Sequence, residues 1–89
     1  MIMKKNNTDL INKNVVVKWH DAYNEFGWKD LSDFSASTLI ATTWGKVIYE
    51  NDKVISLAHT YADETENTSN QVNGIMTIPK SCIVKITSL

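Results

Sequence analysis

Apolar positions along this chain recur at every second residue far more clearly than at every third or fourth. Val15-Val16-Val17-Lys18-Trp19 is β-branched, with Val15, Val17 and Trp19 on one face, and predicts a first strand. His20 to Phe26 reads as a long loop that ends at Gly27. Trp28, Leu31 and Phe34 then recur every three residues, which predicts a short helical turn or an ordered loop. Two strand-like runs follow, Thr38 to Trp44 and Lys46 to Glu50, separated by Gly45. A glycine inside such a pattern predicts a bulge or a sharp bend, as at the corner of a small barrel.

Glu50-Asn51-Asp52-Lys53 is a turn signal, and Val54 to Tyr61 returns as a strand to make a hairpin. Ala62 to Asn70 has no core residue and three acids, and reads as a solvated connection. Gln71 to Ile78 predicts a further strand. Pro79 interrupts its ladder because proline has no amide donor. Pro79-Lys80-Ser81-Cys82 leaves room for one 3₁₀ turn, and Ile83-Val84-Lys85-Ile86 is the last strand. Residues 1–13 are polar and predict a loose N-terminal arm, with Leu10 and Ile11 resting on the body. Residues 14–89 form one domain.

Five or six short strands in so few residues predict an all-β chain, a small barrel or sandwich rather than a βαβ fold. The closing piece narrows the choice. Gly74, then Ile78-Pro79, two residues, and Cys82-Ile83-Val84 resembles the end of an SH3-like barrel, where a one-turn 3₁₀ helix precedes the last strand. The resemblance covers residues 74–86 and implies a small SH3-like β-barrel. The acidic loop and paired tryptophans of peptide-binding SH3 domains are not matched elsewhere, so it implies no peptide ligand.

Over a longer span the chain resembles a family of small proteins encoded by bacteriophages and prophages. The matching residues are Val15-Val16-Val17-Lys18-Trp19-His20-Asp21-Ala22, Gly27-Trp28-Lys29-Asp30-Leu31, Thr43-Trp44-Gly45-Lys46-Val47-Ile48, Ile55-Ser56-Leu57-Ala58 and Ile78-Pro79-Lys80-Ser81-Cys82-Ile83. This resemblance implies a viral origin and no particular activity.

Composition changes the picture in three places. At 89 residues the chain buries roughly 60% of its unfolded surface, so the core is thin. One cysteine, Cys82, excludes disulfides and thiolate zinc sites and leaves self-association as the remaining staple. With no apolar run of membrane-spanning length and no secretory pattern, a cytoplasmic location, the host bacterial cytosol, is the expectation. Net charge is −1 and all nine cations are lysine, which weakens a DNA-binding reading, since arginine is the favoured fork for phosphates and guanine edges.

Catalytic chemistry finds little support. There is no Gly-x-Ser-x-Gly elbow and no phosphate-cradling glycine loop. A metal site would need the fold to bring His20, Asp21 and His59 together, although His20 and Asp21, as neighbours, point to opposite faces of a strand. Asp30 and Asp33 read as capping groups of a solvated turn. No enzyme, metal or cofactor is expected.

Recognition carries the positive evidence. Three tryptophans and three tyrosines are many for so slim an interior, because each large aromatic side chain buries 150–250 Å². At least one of Trp19, Trp28 and Trp44 is therefore expected at a pocket or a subunit contact. The long loop 20–34 is the candidate surface, with Trp19, Asp21, Tyr23, Phe26 and Trp28 close in sequence. The SH3 resemblance implies that Lys80 and Ser81 lie near it. Aromatic planes, a carboxylate and a lysine suit a nucleotide, and equally suit a protein hot spot. The expected ligand-binding set is Trp19, Asp21, Tyr23, Trp28, Trp44 and Lys80. The expected function is non-enzymatic phage counter-defence by sequestration of a small nucleotide signal, in a homo-oligomer. The rivals are an inhibitor docking on a host protein through Asp63-Glu64-Thr65-Glu66, a virion or assembly component, and a single-strand nucleic-acid binder, which charge disfavours.

Overall fold

Period-two patterning produces an all-β chain. The computed structural model describes residues 10–89, in which five strands form one antiparallel sheet. They are β1 (Asn14–Asp21), β2 (Leu39–Glu50), β3 (Val54–Ala62), β4 (Gln71–Pro79) and β5 (Ile83–Ser88). The order β4-β3-β2-β1-β5, with a 3₁₀ turn at Lys80–Cys82 ahead of β5, is that of an SH3-like barrel left open between β4 and β5. Pro79 ends β4, an edge strand, where its missing amide costs no ladder bond.

The two runs on either side of Gly45 are a single twelve-residue strand. Its first part, Leu39 to Lys46, pairs with β1, and its last part, from Lys46, pairs with β3. The predicted bulge falls two residues beyond the glycine, between Val47 and Tyr49. Gly45 answers a different demand. A Cβ there would lie 2.8 Å from the Ala58 carbonyl oxygen and 3.0 Å from the Leu57 Cβ, so the crossing of β3 over β2 needs a bare backbone.

The core lies on one face of the sheet. Val15 and Val17 of β1, Val47 of β2, Ile55 and Leu57 of β3 and Ile78 of β4 are fully buried. Leu10, Ile11, Trp19, Ile83 and Ile86 pack around them. Of the predicted N-terminal arm, residues 1–9 lie outside the described residues, while residues 10–13 are fastened to the body. The Asn12 amide donates to the Val47 carbonyl at 2.8 Å, and the Val47 amide donates to the Lys13 carbonyl at 2.9 Å.

The turn at Asn51 forms as its residues predict: the side-chain oxygen of Asn51 accepts from the amides of Lys53 and Val54 at 2.8 and 2.9 Å. The acidic connection 63–70 is the exposed tip of the β3–β4 hairpin, closed by a Thr65–Thr68 bridge. The radius of gyration is 17.2 Å. A compact domain of this length has about 12 Å. Residues 22–38, between β1 and β2, belong to none of the five strands and are exposed throughout. No described helix is long and apolar enough to cross a membrane.

Candidate ligand cleft and aromatic arm

Residues 22–38 leave β1 after Asp21 and return at Leu39, and every one of them is exposed. Three local devices shape this arm. The Asp21 carboxylate accepts from the Ala22 amide at 2.8 Å as the strand ends. Gly27 takes φ +100°, a left-handed value open to glycine, and turns the chain at the tip. Asp30 caps a 3₁₀ turn at Leu31–Asp33, accepting from the Ser32 hydroxyl at 3.1 Å. At the base, a His20–Thr38 hydrogen bond of 2.7 Å ties the outgoing chain to the returning one.

The two limbs of the arm flank an open cleft of about 430 Å³. Asp21, Tyr23, Lys29, Phe34 and Thr38 are among its lining residues. Two aromatic rings, one ammonium, the two carboxylates of Asp21 and Glu25 and the hydroxyls of Ser37 and Thr38 thus line one space. Among the described residues Lys29 pairs with Glu25 at 3.5 Å, and both side chains line the cleft. That contact is worth little and yields readily to a stronger anion. The volume is within the usual range for small-molecule sites.

The six residues singled out from sequence do not share this cleft. Asp21 and Tyr23 line it. Trp19 packs against the core, and its indole nitrogen donates to the buried Thr43 hydroxyl at 3.0 Å, so both its apolar body and its polar tip are satisfied within the fold. Trp28 stands on the arm with its side chain at full exposure, 103%. Trp44 is 58% exposed on the sheet, beside a separate hollow near His59 and Leu89.

Lys80 does not reach the arm. Its ammonium lies 2.7 Å from the Glu50 carboxylate, whose side chain is buried, and it lines another hollow with Leu10, Ile83 and Ile86. The resemblance implied a lysine beside the long loop. Glu50 at the end of β2 captures it instead, since a buried carboxylate needs a cation close by. Glu25, Lys29, Phe34, Ser37 and Thr38 are polar or aromatic cleft residues outside the set expected from the sequence. The three-residue recurrence that includes Phe34 was visible, but the folding back of 36–38 onto 21–23 was not.

His20 and His59 serve separate neighbourhoods: His20 binds Thr38, and His59 sits against Gly74. Among the described residues no three His, Cys, Asp or Glu side chains are grouped to hold a metal ion. Comparison with protein-family models, curated proteins and solved structures finds no match to this chain.

Proposed function

We propose that this protein is a non-enzymatic binding protein that sequesters a small nucleotide in the cleft of its arm. The observation that carries the reading is the lining itself: Tyr23 and Phe34 offer stacking faces, Lys29 a cation that exchanges Glu25 for a phosphate, and Asp21 and Thr38 acceptor and hydroxyl groups around one space of about 430 Å³. A planar base stacks on such rings, and a phosphate pairs with the ammonium. The resemblance to small phage proteins supplies the biological role, removal of a host's cyclic or adenosine-derived immune signal in the bacterial cytosol. Stoichiometric capture needs affinity and abundance and no reacting group.

Titration calorimetry against a panel of cyclic and adenosine-derived nucleotides tests this reading. Saturable binding is expected, and Tyr23→Ala and Phe34→Ala should each weaken it by about tenfold, the scale of one lost stacking contact. A flat response to every nucleotide removes the proposal. One observation favours a second reading, docking on a host protein. The exposed hairpin tip carries Asp63, Glu64 and Glu66 on a loop pinned by Thr65 and Thr68, a presentation that suits a basic groove. A stoichiometric host partner whose capture is lost when those acids become Ser would support it.

A further inference from the structure

The crest of the arm carries a concentration of bare apolar side chains. Phe26 and Leu31 are each 85% exposed, Trp28 is fully exposed, and Tyr23 and Phe34 are about half exposed. At 150–250 Å² for a large aromatic side chain, Phe26, Trp28 and Leu31 alone present roughly 500 Å² of apolar surface, and Tyr23 and Phe34 belong to the cleft. Single surface apolar residues are ordinary, but three large ones within six positions of one arm amount to a patch of the size that is often functional.

A second unpartnered patch lies on the face of the β2-β1-β5 sheet opposite the core. The register places Trp44, Val16 and Thr87 in one row, Thr42, Lys18 and Lys85 in the next, and Ile40 beside His20 in a third. Trp44 and Ile40 are both about half exposed there. Lys18 and Lys85 are directly opposite one another, a like-charge pair that destabilises a sheet unless an anion neutralises it. Among the described residues neither meets a carboxylate: Lys18 finds only the Thr42 hydroxyl, at 3.4 Å. The arm has the complementary character, with exposed Asp30 and Asp33 beside its apolar crest.

We infer that a second copy of this chain covers both patches, the arm of each copy lying across the outer face of its partner's sheet. Phe26, Trp28 and Leu31 meet Ile40 and Trp44, and Asp30 and Asp33 meet Lys18 and Lys85. The exchange is reciprocal, as a two-fold axis requires. Each copy contributes its arm and its sheet patch, which together approach the roughly 800 Å² per partner of a stable interface. The copies associate through the crest and leave the inner side of the arm, with Tyr23 and Lys29, to the cleft.

Sedimentation velocity of the full chain at micromolar concentration, without nucleotide, tests this. The wild type should sediment as a dimer or a multiple of it. Trp28→Ser combined with Phe26→Ser, and separately Lys18→Glu combined with Lys85→Glu, should each yield single chains with the wild-type circular dichroism spectrum. Adding Asp30→Lys and Asp33→Lys to the glutamate variant should restore association, which a merely misfolded variant would not regain. A wild type that sediments as a single chain overturns the inference, as does a lysine-to-glutamate variant that stays associated. Nucleotide binding by a monomeric wild type would sink self-association alone, whereas an intact dimer with a flat nucleotide titration would sink sequestration alone.

Discussion

The core face of the sheet and the arm between β1 and β2 are built from similar residues with opposite fates. Val15, Val17, Val47, Ile55, Leu57 and Ile78 come from four strands and are sealed from solvent. Phe26, Trp28 and Leu31 are as apolar and remain bare. The difference is one of sequence separation. Core residues alternate along strands whose partners are fixed by the ladder, so each side chain meets others from distant parts of the chain. Among the described residues the arm has no partner strand, only one 3₁₀ turn, and its crest is exposed. Apolar surface without an internal partner is surface for an external one. The core supplies stability, and the arm carries the surface on which the proposed binding and association rest.

Three substitutions sharpen this contrast. The largest effect is expected at the centre of the core. Leu57→Ala removes a fully buried side chain from β3 and should cost about 3 kcal/mol. Chemical denaturation would read this as a lower midpoint, and a cost of less than about 1 kcal/mol would mean the core is looser than described.

Gly45→Ala comes next. Its new methyl group meets the Ala58 carbonyl at 2.8 Å, backbone that cannot swing aside, so about 2 kcal/mol is expected. Thermal melting should show a fall of several degrees, because about 1 kcal/mol moves the midpoint of a domain this size by 4–8 °C. An unchanged midpoint would show that β3 does not cross so close to β2.

The smallest effect is expected on the arm. Trp28→Ser alters a side chain without intrachain burial and should change the unfolding free energy of a single chain by no more than about 0.5 kcal/mol. Measured below the association concentration, a larger loss would mean the indole packs on its own chain. The contrast between core and arm would then dissolve.

Much of the scaffold was legible in the residues. Alternation placed all five strands, Asn51 signalled its turn, and Pro79 followed by Cys82-Ile83 marked the 3₁₀ turn before the last strand. Each of these depends on neighbours within a few positions. The candidate site was legible only in part. Asp21 and Tyr23 belong to one cleft, but Trp19, Trp28, Trp44 and Lys80 are elsewhere, because their surroundings are set by chain that lies far along the sequence.

By itself the sequence determined the strand class, the turn chemistry and the excess of aromatic surface, since these follow from backbone preference and from volume. Tertiary structure alone decided which indole is spent on the core. Trp19 packs half-buried against the core because Thr43, twenty-four residues later, offers its nitrogen a buried acceptor and β5 lies alongside. Trp28 has no strand to lie against and stays in water. The pairing register also set Lys18 against Lys85 and drew Lys80 to Glu50, and no local pattern encodes a pairing between positions so far apart.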